Sequence, residues 1–184
     1  MVTGVDLSET AIDLARKNFH LHGVTAHDLR VANAEALPYP DDSFDVVYGH
    51  GVIQYTADPT RLIRECHRVL RPGGEAIFMV YNRRSWLNVL SKVTKVPLEH
   101  ADAPVLRKFA IREFAQLLSP FSDVRIIPER FPVPSRLHKG WKAVAYNTVF
   151  VGAFNVLPRP VVRRFGWHLM AFCRKPLEAT ARHN

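Results

Sequence analysis

Extended and helical signals alternate through the first half of this 184-residue chain, and that rhythm predicts a doubly wound α/β domain. Three observations carry the prediction. Val2-Thr3-Gly4-Val5 favours an extended strand, ends in Asp6, and is followed by Ser8, a residue type that caps helices. Phe44-Asp-Val-Val-Tyr-Gly49 is the clearest strand, and Asp58-Pro59 behind it starts a helix with an acidic cap and a proline in the first turn. Ala76-Ile-Phe-Met-Val-Tyr81 is apolar throughout, as suits a strand with helices on both of its faces.

The elements follow in order. Ile12, Ala15 and Phe19 recur at helical spacing, so a helix runs from about Ser8 to Phe19, with Gly23 as its terminator. In a nucleotide-binding α/β protein, an acid placed like Asp6 accepts hydrogen bonds from ribose hydroxyls; otherwise it simply ends a strand. Leu29 and Val31 alternate with Asp28 and Arg30 in a short second strand. Asn33 to Ser43, with two prolines and adjacent acids, is a loop. In the Asp58-Pro59 helix, Leu62, Ile63, Cys66, Val69 and Leu70 form the buried face, and Arg71-Pro-Gly-Gly74 stops it. Further on, helices are expected over Arg84–Val93 and Ile111–Leu118, and a strand over Asp123–Ile127. Residues 137–157 give one helix or two short ones, and a final apolar strand runs from Gly166 to Cys173.

Length and composition are those of one globular domain. Ala143 to Leu157 is too short and too polar for an ordinary membrane span, and no signal peptide is visible, so a cytoplasmic location is expected. Cys66 and Cys173 lack metal-site spacing and read as buried hydrophobes in a reducing compartment. The nine histidines form no metal motif. Charge is uneven: residues 1–80 carry 7 basic and 11 acidic side chains, and residues 81–184 carry 18 and 6. A basic C-terminal half suits a solvated face, an acidic substrate or anionic lipid, but no dense Lys/Arg run with interleaved aromatics marks a nucleic-acid groove.

The segments VTGVDLSETAIDLAR, NAEALPYPDDSFDVVYGHGVIQY, DPTRLIRECHRVLRPGGEAIFMVYN and GWHLMAFCRKP together resemble the class I S-adenosylmethionine-dependent methyltransferases, close to the branch of ubiquinone and menaquinone biosynthesis. The resemblance implies S-adenosylmethionine as cofactor and a Rossmann-like seven-stranded sheet, ordered 3-2-1-4-5-7-6, with its last strand antiparallel. It implies cofactor-binding roles for Asp6 on the ribose, Leu7 against the adenine, and Asn33, Ala34 and Glu35 in the adenine loop. His50 and Gly51 would line the methionine end. His50 and Tyr81 are the catalytic candidates; the alternatives are a hydrogen-bonded loop histidine and a buried aromatic with a satisfied hydroxyl.

In that family a strand, a Gly-rich turn and a helix precede the acid of the second strand. Only Met1 precedes Val2 here. The expectation is therefore a single, N-terminally truncated methyltransferase domain, from a start codon called too late, that binds its cofactor poorly. Residues 1–82 would form the cofactor-binding core, and residues 83–165 the substrate side. There Trp86, Phe109, Trp141, Tyr146, Phe150 and Phe154 would cover the acceptor. The expected activity is methyl transfer to a small, hydrophobic molecule, with no nucleic acid and with peripheral membrane contact through the basic half. A noncatalytic, partner-binding fragment and a nicotinamide-dependent oxidoreductase are the alternatives.

Overall fold

The structure, a computed structural model, describes residues 1–94, 103–132 and 144–177. Strands β1 (Thr3–Asp6) and β2 (Asp28–Val31) pair in parallel, connected by helix α1 (Glu9–Leu21). Ser8 caps α1, its Oγ accepting from the Ala11 N–H at 3.3 Å, and Gly23 takes the left-handed conformation past its end (φ 63°).

The remaining strands are β3 (Phe44–His50), β4 (Leu70–Tyr81), β5 (Ser122–Glu129) and β6 (His168–Arg174), in the order β3-β4-β6-β5. β3 is parallel to β4, and β6 runs antiparallel to both of its neighbours. Helix α2 (Pro59–Val69) joins β3 to β4, and the Thr60 and Arg61 N–H groups both donate to Asp58 Oδ1 at 3.0 Å. Helices α3 (Trp86–Thr94) and α4 (Ile111–Leu117) lie between β4 and β5. A π-helical turn (Ala145–Phe150), α5 (Val151–Val156) and α6 (Arg159–Val162) precede β6.

These strands correct the fold expected from the sequence. There are six among the described residues, not seven, and they form two sheets, not one. An N-terminal strand, β1, is present. The physical reason for the division is that, among the described residues, β1 ladders only with β2 and β3 only with β4. Between β1–β2 and the first half of β3 lies an open cleft of ≈ 770 Å³, lined by Thr3, Asp28, Arg30, Phe44 and Val46 among others. β3, the clearest strand in the sequence, is consequently an edge strand, with Val46 and Tyr48 exposed.

The core explains the apolar run in β4. Ala76, Phe78 and Val80 pack on one face with Leu62, Ile63 and Cys66 of α2, with Phe114 and Leu118 at α4, and with Leu169 and Ala171 of β6. Met79 and Tyr81 on the opposite face pack with Trp167, Leu87 and Leu106. The turn expected at Arg71–Gly74 is a bulge inside β4, because Phe44 faces Leu70 while Val46 already faces Glu75. A Cβ on Gly74 would stand 2.8 Å from the Arg71 carbonyl oxygen, so only glycine fits there.

The two sheets are held together through the Asn33–Ser43 loop. Arg68 on α2 donates to the Leu37 and Tyr39 carbonyls at 3.0 and 2.8 Å, and to Asp41 and Glu65 carboxylates. Glu65 in turn accepts from the Leu37 N–H at 2.8 Å. On the other side of the loop, the Tyr39 hydroxyl donates to Asp28 on β2 at 3.1 Å. Arg68→Met keeps the aliphatic stem and removes every donor. It is expected to lower stability by about 2 kcal/mol, because two half-buried carbonyls and Glu65 lose their partner. Denaturant unfolding measures it, and an unchanged midpoint would show the clamp to be dispensable.

Candidate functional site

Asp6 ends β1 in an exposed position. One carboxylate oxygen accepts from the Ser8 N–H at 2.8 Å, which fixes the turn into α1; the other accepts nothing among the described residues. Leu7 beside it is 72% exposed, an apolar side chain left on the surface next to an acid. The Asp6 carbonyl accepts from the Ala32 N–H at 3.0 Å, which brings the strand end against the Asn33–Glu35 loop.

That loop is more tightly occupied than its sequence suggests. Asn33 Oδ1 accepts from the Glu35 N–H at 2.9 Å, so one lone pair of the predicted adenine acceptor is spent on a local turn. Ala34 packs on the main core. The Glu35 carboxylate accepts from the Asp58 N–H at 3.0 Å and from the Thr56 hydroxyl. The Asp58 bond first, and then the Thr56 bond, hold it below the usual carboxylate range. Glu35 therefore braces the loop against the start of α2.

The catalytic candidates lie at the C-terminal ends of β3 and β4. His50 is exposed, its ring over Tyr48 (5.9 Å between centroids) and edge-on to His168 (5.8 Å). Gly51 follows in the left-handed region (φ 74°), and its N–H donates to the Met79 carbonyl at 3.2 Å. Tyr81 is only 8% exposed, stacks on Trp167 at 4.5 Å, and has its hydroxyl 3.5 Å from that of Tyr55. Asn82 is buried, with its amide donating to the Arg164 and Gly166 carbonyls.

A continuous series of contacts thus runs from Asp6 through Ala32–Glu35, Thr56, Tyr55, Tyr81 and His168 to His50. The ≈ 770 Å³ cleft is not part of it; none of the predicted site residues lines that cleft. Phe109, partly buried, packs on the core beside Phe114. Trp86 donates from its ring nitrogen to the Arg130 carbonyl at 2.9 Å and meets Phe154 edge-on. Trp141 and the side chains of Tyr146 and Phe150 lie outside the described residues. Among the described residues, no group of three or more His, Cys, Asp or Glu side chains is placed to hold a metal.

Sequence reading missed His168, Trp167 and Arg130. The signal for Trp167 and His168 was an apolar strand, which the antiparallel β4–β6 pairing sets against Tyr81, and the β5–β6 pairing, Glu129 opposite His168, brings Arg130 beside it. Arg130 Nη1 stands 3.3 Å from His168 Nε2. A guanidinium can only donate, so Nε2 accepts and the imidazole is neutral with its proton on Nδ1. Burial first, then Arg130 and His50, push its pKa down to about 4.

Comparison with known proteins places these residues in context. Residues 1–78 match the family described as a methyltransferase domain. Over 155 residues the chain is 30% identical to demethylmenaquinone methyltransferase of Listeria monocytogenes serotype 4b, a match covering 80% of this chain and 60% of that one. Over 75 residues, 41% of this chain and 22% of the relative, it is 44% identical to 2-methyl-6-phytyl-1,4-hydroquinone methyltransferase 1 of Oryza sativa subsp. japonica. The chain thus spans less than two thirds of either relative. Among solved structures, a possible histamine N-methyltransferase from Thermotoga maritima superposes with a TM-score of 0.65 at 24% identity, covering 95% of this chain and 73% of that one.

The His168 geometry has a pH signature. Its folded pKa lies below the ordinary 6.5, so the unfolded chain takes up the proton first as pH falls. Stability attached to the neutral ring is full above about pH 6.5 and is lost on descending toward pH 4. His168→Gln is expected to lose less stability than wild type between pH 7 and pH 4.5, read from denaturant midpoints at each pH. Parallel losses would place His168 outside this network.

Proposed function

We propose that this chain, which matches a methyltransferase-domain family over residues 1–78, is a class I S-adenosylmethionine-dependent enzyme that transfers a methyl group to a small aromatic acceptor of the hydroquinone type. The observation that carries the reading is the contact series from Asp6 to His50, which joins a ribose-type acid to an aromatic and histidine cluster. The names of the two relatives, both acting on quinone-type rings, support the acceptor class.

The residues present fit the nucleoside end of the cofactor. Asp6 keeps one carboxylate oxygen for ribose hydroxyls, and Leu7 offers an exposed apolar surface to the adenine. Gly51, in the left-handed region at φ 74°, would line the methionine end, and the nearest side-chain atoms to a Cβ placed there are the Gln54 amide at 3.5 Å and the Met79 methyl at 3.6 Å. In the adenine loop, the Ala34 backbone is better placed than Glu35, whose carboxylate is committed to Thr56 and Asp58.

When bound, the cofactor supplies a methyl group already activated on a sulfonium. The protein's task is then orientation, which supplies most of the rate when the nucleophile is held in line. His50, exposed at the end of β3, takes the hydroxyl proton of the acceptor. Tyr81 is a wall of the site, because it is buried and its hydroxyl is engaged with Tyr55. His168 presents Nδ1–H as a donor, its Nε2 being held by Arg130. The basic residues beyond Tyr81 suit the anionic headgroups of a membrane surface. Among the described residues, no helix is long and apolar enough to cross a membrane.

The test is transfer of radiolabelled methyl from S-adenosylmethionine to short-tailed hydroquinones, with catechols and histamine in parallel. Labelled hydroquinone is expected, and transfer to none of them rejects the reading. His50→Ala should lower kcat by about a hundredfold. An unchanged kcat rejects the base role.

A further inference from the structure

One long run of the basic half carries charge of a single sign. Residues 130–177 contain nine Arg and Lys and no Asp or Glu. Within that run Arg130 faces His168, and Lys175 pairs with Asp42 at 2.7 Å. Arg163 and Arg164 open the 3-10 turn Arg163–Phe165 that continues α6; both are exposed and meet no carboxylate among the described residues. Apolar side chains stand beside them. Val156 is 86% exposed, and Leu157, Val161 and Phe165 are exposed as well. Single apolar residues are ordinary on a surface. Four within ten positions, interleaved with unpaired arginines, are a patch that asks for a partner. Helix α1 shows the contrast: its exposed Leu14 and Leu21 lie among charges of both signs, with Arg16 paired to Asp13 at 2.9 Å.

The patch is held outward from within. Buried Asn82 donates to the Arg164 and Gly166 carbonyls at 3.1 and 2.8 Å. A Cβ on Gly166 would stand 2.5 Å from the Glu129 carbonyl oxygen, so the backbone there lies directly on the end of β5. Helix α5 turns Val151 into the interior and sets Phe154 edge-on to Trp86, which leaves Val156 outside. Two residues beyond Phe165, Trp167 stacks on Tyr81, and β6 begins at His168. The patch therefore borders the histidine and aromatic end of the candidate site.

We propose that Val156–Phe165 docks on the surface of an anionic lipid bilayer, its apolar side chains entering the interface and Arg163 and Arg164 meeting headgroup phosphates. Charge complementarity and apolar exposure together select this occupant. Nucleic acid would use the arginines and leave the aliphatic side chains in water. A bilayer interface takes both, and the planar guanidinium matches phosphate oxygens in pairs. A molecule docked this way holds its Trp167–His168 end against the lipid, where an apolar acceptor is concentrated. That consequence rests on the function proposed above; the docking does not.

The chain is sedimented with vesicles of phosphatidylcholine alone and with vesicles containing about 30% phosphatidylglycerol. Binding to the anionic vesicles and not to the neutral ones is expected, weakening as sodium chloride is raised. Arg163→Gln with Arg164→Gln should weaken it about tenfold or more. Val156→Ser with Phe165→Ser should weaken it to a similar degree, and Val156→Ser alone severalfold. Lys17→Gln with Arg112→Gln removes the same charge from exposed positions on α1 and α4 and should leave binding unchanged. All of these side chains are exposed, so each variant should melt as wild type does. Should the pair with Phe165 melt lower, Val156→Ser alone decides the apolar part, at the most exposed of the four apolar positions. No binding to anionic vesicles, equal binding to neutral ones, or an affinity that Val156→Ser leaves unmoved overturns the proposal. A control pair that weakens binding as much as the arginine pair marks a diffuse attraction and overturns it too. So does a mixed-sequence nucleic-acid duplex bound as tightly as the vesicles. Vesicle binding is read without cofactor or acceptor, so its failure leaves the methyl-transfer reading standing, and failed methyl transfer leaves the docking standing.

Discussion

One guanidinium holds the two halves of the site in relation to each other. The β1–β2 sheet and the four-stranded sheet share no hydrogen-bonded ladder, so the position of Asp6 relative to His50 depends on the chain between them. That chain is the Asn33–Ser43 loop, and Arg68 grips it at the Leu37 carbonyl, the Tyr39 carbonyl and Asp41. The grip is firm because Arg68 is itself fixed by Glu65 one turn back on α2. Its planar fork can satisfy several oxygens in one geometry, which a lysine could not. Glu35 does the corresponding work at the loop's other end, against Thr56 and Asp58.

α2 can anchor the loop because it is itself packed and capped. Its apolar face is buried against β4, and its first turn is capped by Asp58. β4 has a neighbour on each side and packing on both faces, and its last residues therefore sit in the most constrained part of the molecule. Tyr81 inherits that rigidity, and through it so do Tyr55, Trp167 and His168. The exposed candidates Asp6 and Leu7 stand at the end of β1, and His50 at the end of β3.

The parts of this structure that depend on local chemistry were legible in the sequence. Ser8 and Asp58 cap the helices expected of them, and the apolar face of α2 is the one its spacing predicts. What was not legible depends on partners distant in the chain. Nothing near Glu35 or Asn33 announces that their oxygens are taken up by the Asp58 and Glu35 N–H groups, so a loop that reads as free for a ligand is partly spent on itself. His168 is hidden in an apolar strand until antiparallel pairing sets it against Tyr81, 87 positions earlier. The division into two sheets was missed for a related reason: strand-forming residues specify a strand, but not whether both its edges find neighbours.

The bulge at Arg71–Gly74 has a consequence for how this fold tolerates change. Beyond it, seven consecutive residue pairs from Glu75↔Arg174 to Tyr81↔His168 fix β4 against β6. The phase of the strand is therefore decided by its antiparallel neighbour and not by the number of residues linking it to α2. The bulge takes up the offset between the end of α2 and the ladder within a tightly packed turn, and Tyr81 and His168 are left directly opposed beyond it.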